Sequence, residues 1–136
     1  MDKSNPIVTF LEGSWHCETV RVHDGEVFKT AYDETMRKID GHTLEITAYG
    51  MNNGKDLTKP MKIVLEGCNV TLAQDSFMAR GSFKGNVVKV SGNTEDGNHH
   101  RLKIVLMDNV FIYQSDVWRN DTIVDTQWSH LRRLEE

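Results

Sequence analysis

The sequence predicts an all-β protein, an antiparallel up-and-down barrel of about 8–10 strands with a short N-terminal helical plug. Three observations predict it. Short β-rich runs succeed one another from residue 14 to residue 134. The cuts between them carry Asp, Asn and Gly, which tolerate the positive φ of tight hairpin turns. These cuts leave little room for crossover helices, so consecutive strands must pair antiparallel.

The first element is helical. Over 4–12, Ser4 or Asn5 can cap, Pro6 suits the first helical position, and Ile7, Phe10 and Leu11 share a face before Gly13 ends the turn. Strands follow at 14–22, 26–39, 42–51, 60–66, 69–74, 76–83, 86–94, 99–107, 110–118 and 121–134. Their turns include Asp24-Gly25, Asp40-Gly41, Asn53-Gly54, Gly85-Asn86, Asp96-Gly97, Asp108-Asn109 and Asn120-Asp121. A meander this long must hide its edges, and closing into a barrel removes them. A two-sheet sandwich is the structural alternative. It needs long connections, and only MNNGKDLTKP at 51–60 resembles one.

Alternation assigns the interior. Leu44, Ile46 and Ala48 face in, as do Met61, Ile63 and Leu65, then Phe77, Ala79 and Phe83, then Val88 and Val90. Leu102, Ile104 and Leu106 continue the set, followed by Phe111, Tyr113, Ser115 and Val117. In 26–39 the aromatic-bearing face holds Phe28, Thr30, Tyr32, Glu34 and Met36. In the last strand the face of Trp128 also carries Thr126, His130 and Arg132, and the tryptophan turns that face inward. Such an interior is too polar to pack dry, because buried charges must be paired or hydrated. A barrel of this size can enclose one small ligand instead, with apolar walls and a few directed polar groups.

Composition bounds the function. The 136 residues suit one domain, 1–136, and the content of 38% hydrophobic and 26% charged residues is that of an ordinary globular chain. A net charge of −4 and no basic run argue against nucleic acid, which needs clustered Lys and Arg. No segment approaches the roughly 18 apolar residues of a membrane span. MDKSNPIVTFLEG lacks the apolar run and small-residue site of a signal peptide, so a cytoplasmic location is expected. Cys17 and Cys68 have no metal or redox spacing and are expected to be reduced thiols.

Gly13-Ser14-Trp15 on the first strand, after a helical plug and with Arg132 or Arg133 on the last strand, resembles the signature of the calycin superfamily. In those proteins, lipocalins and fatty-acid-binding proteins among them, a G-x-W tryptophan closes the barrel base and a last-strand arginine packs across it. The resemblance spans the meander but rests on about four residues. The T-D-Y of secreted lipocalins is not evident, which points toward small intracellular lipocalin-like barrels of bacterial type. That group includes ligand binders, haem-binding nitrobindin-like proteins and a few cyclases or isomerases, so fold alone does not fix function.

Several residues are candidates for chemistry. WSHLRRL places His130 where a nitrobindin-like barrel carries its haem-ligating histidine. The plainer reading is a hydrogen-bonded or exposed histidine. Glu34, if interior, can serve as a base when desolvation raises its pKa. Tyr113 and Arg132 beside it can bind a ligand carboxylate or stabilise an oxyanion, or Arg132 can simply pair with Glu34. Cys17 shares the face of Trp15 and is expected to pack. His99 and His100 are adjacent, so their side chains diverge on a strand and cannot share one ion.

The expectation is a barrel that binds a small, largely hydrophobic or amphipathic molecule. Tyr32, Met36, Tyr113, Ser115, Trp128 and Arg132 contact it, and Glu34 and His130 are candidates for proton transfer. Gly13 and Trp15 form the closed base. No metal and no cofactor is expected, haem at His130 being the alternative. A homodimer stays open.

Overall fold

In the computed structural model, residues 5–49, 61–74 and 77–134 are described. Asn5 caps α1 (Pro6–Leu11): its side chain accepts from the Ile7 backbone N–H at 3.0 Å, with Pro6 at the first turn. The same side chain donates to the Gly67 carbonyl at 3.2 Å, and the Asn5 N–H donates to the Gly41 carbonyl at 2.8 Å. A single buried polar residue thus starts the helix and pins it across two hairpin turns. Ile7, Val8 and Leu11 are buried, so the helix presents its apolar face to the barrel end.

Ten strands follow: β1 (Gly13–His23), β2 (Glu26–Asp40), β3 (Thr43–Tyr49), β4 (Met61–Glu66) and β5 (Asn69–Gln74), then β6 (Phe77–Lys84), β7 (Val87–Asn93), β8 (His99–Met107), β9 (Val110–Arg119) and β10 (Thr122–Arg133). Each pairs antiparallel with its sequence neighbours, and β1 pairs with β10 to close the barrel. The sandwich alternative is therefore excluded. Asp24, Asp108 and Asn120 hold positive φ at 50°, 41° and 56°, each in a turn where Asp, Asn and Gly cluster. Ser4, Gly50, Met51, Pro60 and Ser76 fell inside expected elements but lie outside the described residues, as does the rest of 51–60. No helix among the described residues is long and apolar enough to cross a membrane.

The closed end is built on Trp15, which is wholly buried. Its Nε1–H donates to the Leu11 carbonyl at 2.8 Å, tying the first strand to the plug. Phe111 meets the indole edge-on at 4.7 Å and Phe10 stacks at 5.9 Å. Arg133, directly opposite Trp15 in the β1–β10 register, lays its guanidinium 4.3 Å over the ring. The same guanidinium donates to the Glu12 carbonyl at 2.9 Å and to the Phe10 carbonyl, so it satisfies backbone groups that the helix end leaves open. Gly13 makes room for it: at φ 128° a Cβ there would stand 2.9 Å from Arg133 Nη1. Of the two arginines expected to brace the base, Arg133 does so and Arg132 is exposed.

That pairing overturns one assignment of faces. Directly opposed residues on adjacent strands share a face, and Cys17 lies opposite Leu131 and Thr19 opposite Ser129. Gln127, Ser129, Leu131 and Arg133 therefore face in, while Trp128, His130 and Arg132 face out. Trp128 is 44% exposed. Much of the expected interior holds elsewhere, with Leu44, Ile63, Leu65, Ala79, Val88, Val90, Leu102 and Phe111 buried, whereas Thr30 is exposed. Phe28 is exposed because the beginning of β2 extends past the packed interior. Gly81 lets β6 and β7 approach closely, since a Cβ on it would sit 1.8 Å from the Lys89 carbonyl oxygen.

The two tryptophans should separate in stability. Trp15→Ala should cost about 3–5 kcal/mol by denaturant unfolding, as for large-to-small core changes. Trp128→Ala should cost less than about 1 kcal/mol, as for surface changes. Equal losses would contradict the assigned faces.

Candidate functional site

Above the Trp15 floor the barrel encloses a cavity of about 270 Å³. Space of this size falls near the lower end of small-molecule sites and far exceeds one water molecule. Most of its described wall is apolar: Leu11 from the plug, Met36, Ile46, Ile63, Leu72, Ile104 and Phe111. The rest is a polar strip on β1, β2, β9 and β10, formed by Cys17, Tyr32, Glu34, Tyr113, Gln127 and Ser129. Gln74 adds an amide from β5.

Glu34 stands directly across from Trp15 on the neighbouring strand, so the residue that closes the base also sets the height of the carboxylate. Burial pushes its pKa from 4.5 up to about 7, partly offset by a hydrogen bond from the Tyr32 hydroxyl. Burial also drives the Tyr32 phenol well above its ordinary range, helped by the negative charges Glu34 and Cys17 would carry. It takes Tyr113 up to about 12, eased by the Ser115 hydroxyl. The Cys17 thiol rises for the same reason, so it is a neutral thiol rather than a nucleophile at neutral pH. Cys17 Sγ lies 3.3 Å from Thr19 Oγ1, which lies 2.9 Å from Ser129 Oγ, and Gln127 donates to that oxygen at 3.4 Å. These hydroxyls bridge β1 to β10 inside the barrel and give the strip a continuous hydrogen-bonded row.

The described lining contains no Lys, Arg or His. Arg21, on the face of Trp15 but at the opposite end of β1, is held by Asp125 through Nε at 3.0 and 3.1 Å and through Nη2. His100 meets Phe77 at a tilt of 53°, ring centroids 4.9 Å apart, and burial lowers its pKa. Arg133 lies at the base among Trp15, Phe10 and the helix carbonyls.

Of the residues expected to contact a ligand, Tyr32, Met36 and Tyr113 line the cavity, and Ser115 stands beside Tyr113. Glu34 joins them. Trp128, Arg132 and His130 do not. Trp128 and His130 edge an open groove on the outer wall with Glu18, Val20, Lys29 and Ile112. His130 therefore cannot ligate an iron inside the barrel, and the haem reading that rested on it does not fit. Arg132 cannot pair with Glu34 for the same reason. Among the described residues no three His, Cys, Asp or Glu side chains converge as metal ligands would. His99 bonds to Asn93, 2.7 Å away, whereas His100 packs against Phe77. Sequence reasoning missed Gln74, Gln127 and Ser129. The last two were legible had Arg133 been matched to Trp15, since alternation then turns both inward.

No protein-family model and no curated protein matches the chain. Its fold, by contrast, matches solved structures. The S-type phycobiliprotein lyase CPES from Guillardia theta superposes with a TM-score of 0.76 over 96% of this chain and 92% of its own, at 9% identity. Rv2717c from M. tuberculosis follows at 0.65, with 96% of each chain covered and 14% identity. EF1p2_mFAP2b, solved bound to DFHBI, gives 0.50 over 93% of this chain and 95% of its own, at 10% identity. At such identities the likeness is one of fold.

Glu34 carries a consequence for stability. A carboxyl raised from 4.5 to about 7 holds its proton more tightly in the folded than in the unfolded chain. Its contribution is neutral below about 4.5, falls as pH climbs to about 7 and stays lost above. Glu34→Gln should remove that slope and be more stable than the wild type above pH 7, by up to about 3 kcal/mol. Denaturant unfolding of both proteins across this range checks it.

Proposed function

We propose that this protein is a lipocalin-like barrel of the calycin type that binds a small, largely apolar molecule in its interior. The observation that carries the reading is the cavity of about 270 Å³, apolar on most of its wall and polar along one strip. Apolar surface supplies the driving force, and the Tyr32, Glu34 and Tyr113 strip orients what enters. The base formed by Trp15 and Arg133 supports the calycin assignment. The fold neighbour bound to DFHBI supports the use of such a barrel for small molecules. The chain works in the cytoplasm, where Cys17 and Cys68 remain free thiols.

A second reading has one observation in its favour. A carboxyl poised near pH 7 beside two phenols is the arrangement of a general base with oxyanion donors, as proton-transferring isomerases and cyclases use. Glu34 would be the base. Its loss would then abolish turnover while leaving the affinity for a neutral ligand intact.

The neutral naphthalene fluorophore acdan tests the binding reading. It should bind the wild type with a blue-shifted emission, and Trp128→Ala should leave that binding unchanged. Ile63→Trp, which fills the cavity, should weaken it at least about tenfold while retaining cooperative unfolding. Loss of binding in the Trp128 variant alone would place the probe in the outer groove and refute the reading.

A further inference from the structure

Among the described lining residues the cavity holds one ionisable carboxylate and no cation to answer it. From β1, Glu34 faces Trp15 and the Cys17 thiol; on its own strand it neighbours Tyr32, and across the cavity Tyr113 approaches from β9. Every titratable group among these is an acid that burial keeps neutral, and none can donate a positive charge. The two arginines on the inward-facing positions of β1 and β10 are committed elsewhere: Arg21 to Asp125, and Arg133 to Trp15 and the Phe10 and Glu12 carbonyls. An anionic ligand entering this space would meet a like charge, with no guanidinium or ammonium among the described lining residues to receive it. A ligand cation would supply the missing partner of a buried carboxylate, and removing such a mismatch is worth far more inside than at a surface.

Resting on the binding reading above, we propose that the ligand is an apolar molecule bearing a basic nitrogen, which seats as its protonated form against Glu34. Fatty acids and other apolar carboxylates are rejected. The phenols of Tyr32 and Tyr113 give the cationic head further oxygen acceptors, and the wall of Leu72, Ile63 and Ile104 takes the apolar body. Binding of an amine holds Glu34 ionised, so affinity for it rises with pH through the range in which free Glu34 loses its proton. It falls again only when the amine itself deprotonates.

Three chains of one length separate charge from shape: octylamine, octanol and octanoate, titrated calorimetrically with acdan run in parallel. At about pH 8 octylamine should bind at least about tenfold more tightly than octanoate and more tightly than octanol, and at about pH 5 its advantage over octanol should shrink. Glu34→Gln, nearly isosteric, should retain cooperative unfolding and lose both the amine preference and its pH dependence. Octanoate binding as tightly as octylamine while acdan binds would overturn the inference and leave the cavity reading standing. So would an amine preference that survives Glu34→Gln. Failure of acdan and all three chains would sink the cavity reading, and this inference with it.

Discussion

The stacking of Arg133 on Trp15 is the contact on which the rest of the structure depends. A sheet closes into a barrel only when its first and last strands meet in a definite register, and a slip of one residue would invert every side chain of the last strand. Here the guanidinium is fixed on three sides, by the indole, by the Phe10 ring and by two carbonyls at the helix end. Its bonds to residues 10 and 12 and its contact with the Trp15 ring tie the helix, β1 and β10 into one unit. The aromatic cluster adds to area burial, and the cation–aromatic contact adds directional preference that generic packing lacks.

From that register the cavity follows. With Arg133 opposite Trp15, Leu131 falls opposite Cys17 and Ser129 opposite Thr19, and the interior hydroxyls meet across the seam. On the other side of β1, Glu34 falls opposite Trp15 and Tyr32 opposite Cys17. A single strand thus arranges both halves of the polar strip. The far side of the barrel, β4 to β8, contributes mostly apolar residues such as Ile63, Leu72 and Ile104. The asymmetry leaves Glu34 desolvated but not isolated, because Tyr32 bonds to it while no cation among the described lining residues neutralises it.

Most of the architecture was legible because turn chemistry and alternation agreed, strand after strand. Leu102, Ile104 and Leu106 oppose Arg101 and Lys103, and one face is plainly inside. The last strand gave no such contrast. Gln127 and Ser129 on one face are as polar as His130 and Arg132 on the other, and the large apolar ring of Trp128 biased the choice outward-for-inward. What decides this strand is its partner's register, a long-range fact that local hydropathy does not contain. The same holds for the site. Tyr32, Glu34 and Met36 were readable from the alternation of one long strand, whereas the absence of a cation beside Glu34 among the described lining residues depends on where the last strand's Arg132 points.

The register set at the base places the Glu34 carboxyl in a desolvated interior where the described lining residues offer no cation to hold it ionised. Carbon NMR of the glutamate side-chain carboxyls, with Glu34 assigned by its absence in Glu34→Gln, tests this most directly. The structure predicts a Glu34 titration midpoint near 7, well apart from the exposed glutamates. A midpoint at the ordinary value of 4.5 would mean a hydrated or paired carboxylate, and would contradict the account.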